Sequence, residues 1–241
     1  MTPQEKKRAA AERAIEFIEP GMIIGLGSGS TAAEFVNLLG QKGKEGLKIT
    51  GIPTSLTTRK QAEALDIPLT SLDDNPFSDL TIDGADELDD QLRLIKGGGG
   101  ALLHEKIIAS ASDGLIIIAD DSKHVTTLGQ FPLPIEVVPF GLEPTRRTIE
   151  AIAYDMDLTG EIALRKTNEG QPFKTDSGNV ILDCAFSALP EPEALAEMLD
   201  AIPGVVEHGL FIGFADIAIV AGGSGITILE FAEDDGEVLS I

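Results

Sequence analysis

The chain has 241 residues, 43% of them hydrophobic, enough to bury a sizeable core as one large domain or two unequal ones. Forty acidic residues against 18 basic give a net charge of −22, which repels nucleic-acid phosphates and excludes binding through clustered lysine and arginine. A folded chain this acidic suits a salt-rich cytoplasm, so a halophilic source is expected, and with it stability that rises with KCl.

The alternation of elements begins at once. Helical patterning over Glu5–Ile18 is charged and lacks the apolar segment of a signal peptide, so a cytoplasmic protein is expected. A buried strand follows at Met22–Leu26, a helix at Thr31–Leu39, a strand at Lys48–Pro53 and a helix at Leu56–Leu65. Then come a strand at Asp79–Ile82, a helix at Ala101–Ala111 and an apolar strand at Leu115–Ala119. Strands alternating with helices imply a parallel sheet covered on both faces, whose ligands gather at the carboxyl ends of the strands. Gly27–Thr31, Asp83–Asp86 and Asp120–Lys123 each follow a strand and should share that rim.

Past Gly129 the pattern changes. Pro132, Pro134, Pro139 and Pro144 punctuate a strand at Ile135–Val138 and a helix at Pro144–Tyr154. Strands at Glu161–Lys166 and Asn179–Ala185, a helix at Pro192–Leu199 and a strand at Val205–Leu210 complete a βαββαβ order. The last strands, Ile217–Ala221 and Ile226–Phe231, return to the main body. The expected fold is therefore α/β, a Rossmann-like parallel-sheet domain (1–129 and 211–241) with an inserted, smaller ferredoxin-like α+β domain (130–210). The longest apolar runs are far too short to cross a bilayer, which takes roughly 20 residues. Cys184, the single cysteine, excludes an internal disulfide framework and reads as a buried strand residue.

Three stretches carry chemistry. Gly25-Leu26-Gly27-Ser28-Gly29-Ser30-Thr31 opens a helix, where backbone N–H groups and the helix dipole favour an anion. It misses the dinucleotide fingerprint, since Ser30 takes the place of the last glycine and the next strand ends Pro53-Thr54-Ser55 without a ribose-binding acid. Thr31-Ala32-Ala33-Glu34 also fits a capping box, but a cap has no need of the Ser28 and Ser30 hydroxyls, so phosphate binding is preferred. Asp83 and Asp86 flank a tight turn, whereas Glu87, Asp89 and Asp90 read as acidic surface. Lys96 precedes the run Gly97–Gly100, and Glu105, flanked by Leu102, Leu103, Ile107 and Ile108, should be partly buried and so a better base near neutral pH. His104, His124 and His208 lack metal-ligand spacing, and no cofactor or metal is indicated.

In that order, G-x-G-S-T, D-G-A-D-E and K-G-G-G-x-A-L-x-x-E-K resemble the ribose-5-phosphate isomerases of the A type. The likeness runs essentially the whole chain and includes the Lys123 loop and Gly209-Leu210-Phe211. It implies the non-oxidative pentose phosphate reaction, ribose 5-phosphate to ribulose 5-phosphate through an enediolate, without a metal. It further implies substrate contacts from Ser28, Gly29, Ser30, Thr31, Asp83, Gly84, Ala85, Asp86, Lys96, Gly97, Gly98, Gly99 and Lys123. Glu105 matches the family's proton-transferring base. Lys96 would steady the oxyanion, and Asp83 or Asp86 would assist ring opening. Because the acidic surface disfavours a dianionic substrate, Lys6 or Lys7 joins Lys96 and Lys123 as cations of interest. Family members are dimers or larger, so a homodimer or tetramer is implied. The departures are small: Ser28 where threonine is frequent and His208 where asparagine is common. Two rivals remain, a sugar-phosphate-sensing module and a nucleotide-dependent oxidoreductase.

Overall fold

Thr2 starts the first helix two residues earlier than hydrophobic patterning suggests. Its side chain accepts from Glu5 N–H while the Glu5 carboxylate reaches back to Thr2 N–H, and Pro3 fills the first position, so α1 spans Pro3–Ile15. Ala10, Ala11 and Ala14 are its fully buried face. Such small side chains let the helix lie close against the strands beneath it. In this computed structural model, which describes residues 1–231 and 238–240, the first half continues with β1 (Ile23–Leu26), α2 (Ser30–Lys44), β2 (Thr50–Pro53), α3 (Leu56–Ala64) and β3 (Leu80–Asp83). Next come β4 (Glu87–Leu88), β5 (Leu94–Ile95), α4 (Leu102–Ser110) and β6 (Leu115–Asp120). The second half comprises β7 (Leu133–Val137), α5 (Leu142–Asp155), β8 (Ile162–Leu164), β9 (Val180–Cys184) and α6 (Pro192–Asp200). It ends with β10 (Val205–His208), β11 (Leu210–Phe211), β12 (Ile217–Gly222), β13 (Gly225–Phe231) and β14 (Val238–Ser240).

The main sheet runs β14-β13-β12-β6-β3-β1-β2, with β2, β1, β3, β6 and β12 parallel and β13 and β14 antiparallel at one edge. All six residues of β6 are buried, as a central strand covered on both faces requires. The order turns back at β1, whose neighbours β2 and β3 both follow it in sequence. A crevice therefore opens beyond the carboxyl ends of β1 and β3. Leu26 pairs with Ile82 across that junction, which sets the turn after β1 beside Asp83.

The second sheet, β10-β7-β9-β8, is wholly antiparallel, with α5 and α6 joining its strands in the ferredoxin-like order. Its core includes Ile135, Val137, Ile149, Leu182, Leu195 and Leu199. A third sheet, β11-β5-β4, has no counterpart in the sequence reading. The expected strand Val205–Leu210 is in fact two, parted at Gly209. A Cβ on Gly209 would lie 2.2 Å from the Lys96 carbonyl oxygen. The absence of a side chain there lets Gly209 accept from Lys96 N–H at 2.8 Å and stitches the end of the small sheet to the loop that carries Lys96.

Two acids placed on the surface by the sequence reading are buried instead. Glu87 accepts from Gly129 N–H and Phe131 N–H, both at 2.6 Å, and so holds the connection into the second sheet. Asp89 ties its own turn together through Gln91 N–H, Arg93 N–H and the Arg93 guanidinium. Only Asp90 of the three stays exposed, paired with His124. A run of acidic residues looks alike in sequence whether its carboxylates face water or backbone donors.

Candidate active site

Four loops converge on the crevice: the turn after β1, the turn after β3, the glycine run before α4, and the 3-10 turn Asp121–Lys123 after β6. Together they line a small cleft of about 110 Å³ that opens to solvent. Lined by Ser28, Gly29, Ser30, Thr31, Gly84, Ala85, Asp86, Lys96, Gly97, Gly98, Gly99, Glu105 and Lys123, the cleft collects the expected site residues, with Asp83 buried directly behind it.

Lys96 is the hub. Its ammonium sits 2.9 Å from Asp83 Oδ2 and 3.4 Å from Glu105 Oε2, and donates to the Gly84 carbonyl at 2.5 Å. All three side chains are nearly or wholly buried. Burial works against the Lys96 charge, but Asp83 and then Glu105 outweigh it, and the ammonium is held above its ordinary range. Burial likewise raises Asp83, and Lys96 and the N–H groups of Gly84 and Ser28, at 2.7 and 3.0 Å, oppose the rise without cancelling it. Glu105 has no backbone N–H partner to help it. Burial first, then the charges of Asp83 and Asp86, push it up to about 8 against the pull of Lys96. Its Oε2 is the single buried side-chain oxygen or nitrogen without a hydrogen bond among the described residues. The Lys96 contact at 3.4 Å is close enough for charge attraction but not aligned for a hydrogen bond.

The glycine run divides by purpose. A Cβ on Gly98 would fall 2.6 Å from Asp86 Oδ1, and Gly97 and Gly100 have φ of +102° and +82°, so these three are required by the protein's own packing. Gly99 has nothing within 4 Å of an added Cβ and faces the open cleft. Gly98 N–H donates to Asp86 Oδ2 at 2.7 Å, which ties the half-buried Asp86 to the loop.

The turn after β1 departs from the capping-box reading of it. Gly29, at φ +95°, is the N-cap of α2, and no side chain caps the helix, so the Thr31 capping box does not form. The Ser28 hydroxyl is engaged by Thr54, Ser55 and Thr58 within 3.1 Å, and Ser28 N–H by Asp83. Ser28 thus builds the wall of the cleft, and the uncapped first turn of α2 presents the backbone N–H groups. Lys7 donates to Ser30 Oγ at 2.8 Å and lines the cleft, whereas Lys6 turns away to pair with Asp121. Which of the two lysines serves was not decidable from adjacent positions on a helix; a rotation of one residue separates them. Thr54, Ser55 and Thr58, missed as participants, carry no signal beyond a hydroxyl-rich strand end.

None of the three histidines takes part. His104 meets Ser177, His124 meets Asp90, and His208 accepts from Leu210 N–H at 3.2 Å while burial pushes it down to about 3. Asp200, Glu207 and His208 lie together, but the Lys106 ammonium already sits against Glu207 and takes the place a cation would need.

A parallel α/β sheet with an anion-receptive helix start and a buried carboxylate–ammonium pair at its switch point defines a proton-transfer enzyme for a small anionic ligand. Residues 50–225 match the family model described as ribose 5-phosphate isomerase A (phosphoriboisomerase A). The chain is 56% identical over 230 residues to ribose-5-phosphate isomerase A of Parvibaculum lavamentivorans, covering 95% of this chain and 100% of that one. It is 53% identical over 241 residues to the protein of the same name from Bradyrhizobium diazoefficiens, covering 98% and 100%. Among solved structures, ribose 5-phosphate isomerase A from Methanocaldococcus jannaschii superposes with a TM-score of 0.88 at 36% identity, covering 95% of this chain and 100% of that one. A D-ribose-5-phosphate isomerase in complex with phospho-erythronic acid gives 0.87 at 42%, with the same coverage. The chain belongs to the ribose 5-phosphate isomerase A family. The bacterial relatives lend no support to a halophilic source, and that expectation is withdrawn.

Proposed function

We propose that the chain is a ribose-5-phosphate isomerase that interconverts D-ribose 5-phosphate and D-ribulose 5-phosphate through an enediolate, in the non-oxidative branch of the pentose phosphate pathway. Family membership over nearly the full chain supports the activity. One structural observation carries the assignment of roles: Glu105 Oε2, buried and without a hydrogen bond, faces the cleft beside a charged lysine. Glu105 takes the proton from C2 and returns it to C1, and a carboxylate pushed up to about 8 is well matched to both halves of that transfer near neutral pH. Lys96 and the N–H of Gly99 in the glycine loop balance the charge that develops on the sugar oxygens. The start of α2, with Lys7 and Lys123, receives the phosphate. Asp83 holds Lys96, and Asp86, tied to Gly98, takes a sugar hydroxyl and assists ring opening.

The remaining parts of the reading concern the whole chain. Residues 1–129 and 211–241 form the catalytic domain and 130–210 the smaller one. A cytoplasmic homodimer or tetramer fits the soluble metabolic role, and Phe140 and Tyr154, 91% and 81% exposed, supply apolar surface for an interface. No helix among the described residues is long and apolar enough to cross a membrane. Conversion of ribose 5-phosphate in the presence of EDTA, for wild type and Glu105→Gln, is the decisive assay. The substitution keeps the shape and removes the base, so kcat falls by about two orders of magnitude or more while KM is little changed. Equal rates would refute the role given to Glu105.

A further inference from the structure

Four glycines in sequence have no side chains to hold their peptides in one orientation, and this loop is nevertheless held from both sides. On the side of the main sheet, Asp86 takes Gly98 N–H. On the other side a single guanidinium nitrogen, Arg165 Nη1, donates to the carbonyls of Gly97 and Gly98 at 2.9 and 3.0 Å. The rest of the fork is spent on Asp183, through Nε at 2.9 Å and Nη2 at 2.5 Å. Arg165 is itself anchored in the small sheet: it follows β8, its N–H donates to the Ile181 carbonyl, and Asp183 lies on the neighbouring strand β9. The pair is mostly shielded, with 14% and 26% of the two side chains exposed.

A trans peptide directs its carbonyl and its N–H in opposite senses. Fixing the Gly97 carbonyl on Arg165 therefore aims Gly98 N–H at Asp86, as observed. Fixing the Gly98 carbonyl in the same way turns Gly99 N–H away from the guanidinium, on the side of the cleft that Gly99 lines. We propose that Arg165, held by Asp183, is a positioning residue for the isomerase reaction: it orients the Gly98–Gly99 peptide so that its N–H meets the oxyanion of the enediolate. The small sheet thereby becomes part of the catalytic apparatus although none of its side chains lines the cleft. This rests on the isomerase reading above. Lysine cannot replace the arginine, because a point-like ammonium does not offer a planar fork that serves a carboxylate and two carbonyls together.

The test compares wild type, Arg165→Lys and Asp183→Asn in ribose 5-phosphate kinetics, thermal midpoint and inhibition by phospho-erythronic acid, whose planar, anionic carboxylate resembles the planar, charged O–C=C–O group of the enediolate. A positioning role predicts that folded Arg165→Lys loses at least tenfold in kcat with KM within threefold of wild type, and that phospho-erythronic acid binds more weakly by a similar factor. Asp183→Asn, which keeps the arginine but loosens its grip, falls between. A folded Arg165→Lys with kcat within twofold of wild type overturns the inference, as does a loss accounted for wholly by the unfolded fraction. Should Arg165→Lys not fold, folded Asp183→Asn decides: a threefold or greater drop in kcat at constant KM supports the role, and wild-type kcat overturns it. Absence of turnover by wild type overturns the isomerase reading and this inference with it, whereas an active wild type beside an unimpaired variant overturns this inference alone.

Discussion

Glu105 is placed where it harms the fold and serves the chemistry. Its pKa stands at about 8 in the folded chain against 4.5 for an unburied glutamate, because burial and the charges of Asp83 and Asp86 penalise the carboxylate. The folded state thus binds this proton more tightly than the unfolded chain. The stability contributed is fully present below the unfolded value near 4.5 and is lost progressively as pH rises through about 8. Glu105→Gln removes the titration. The stability of the variant relative to wild type should therefore grow across that window, reaching the order of a few kcal/mol. Denaturant melts of both proteins from pH 4 to 9 measure the difference, and parallel pH profiles would contradict the burial argument. Catalysis needs the opposite protonation state. The rate constant kcat/KM should rise with pH and level off above about 8, the point at which Glu105 is half ionised.

At the scale of the element, the glycine run separates structure from function within four residues. Gly98→Ala drives a methyl group to 2.6 Å from Asp86 Oδ1 and 2.9 Å from Phe131, so the loop or Asp86 must move. Loss of both kcat and thermal stability is expected, by about 1–3 kcal/mol as for other overpacked sites. Gly99→Ala meets nothing within 4 Å and needs no left-handed backbone. It should melt like wild type, to within about 0.5 kcal/mol, and raise KM by narrowing the cleft. Equal melting temperatures for the two variants would show the loop to be slacker than its contacts imply. The sequence exposed the run of four glycines but not this division, because the atoms that crowd Gly98 and Gly100 come from Asp86, Phe131 and Phe173, far apart along the chain.

Over the whole molecule, a net charge of −22 sets the long-range field, while Lys7, Lys96 and Lys123 offset it locally at the cleft. Self-repulsion among exposed acids opposes compaction whatever the organism, and a Debye length of about 10 Å at 0.1 M falls to about 3 Å at 1 M. The thermal midpoint should therefore climb by several degrees between low salt and 1 M KCl, a flat response being the contrary result. Glu87 and Asp89 contribute nothing to this effect, since their carboxylates are buried on N–H and guanidinium partners and are not at the surface.

The sequence alone determined the alternation of elements, the parallel part of the main sheet, the βαββαβ order and the strand-end loops that meet at the cleft, because periodicity, turn chemistry and position at strand ends are local properties; the antiparallel edge of the main sheet was not foreseen. It also ordered the three motifs whose spacing resembles the isomerase family. Only the tertiary structure decided what each group does there. It showed that Ser28 is spent on a hydroxyl wall, that Lys7 and not Lys6 reaches the cleft, that Glu87 and Asp89 are internal, and that Gly209 joins the small sheet to Lys96. It also brought Arg165 from the inserted sheet onto the glycine loop 67 and 68 positions away in the chain. Burial and long-range hydrogen bonding depend on which distant segments come together, and no local pattern along the chain records that.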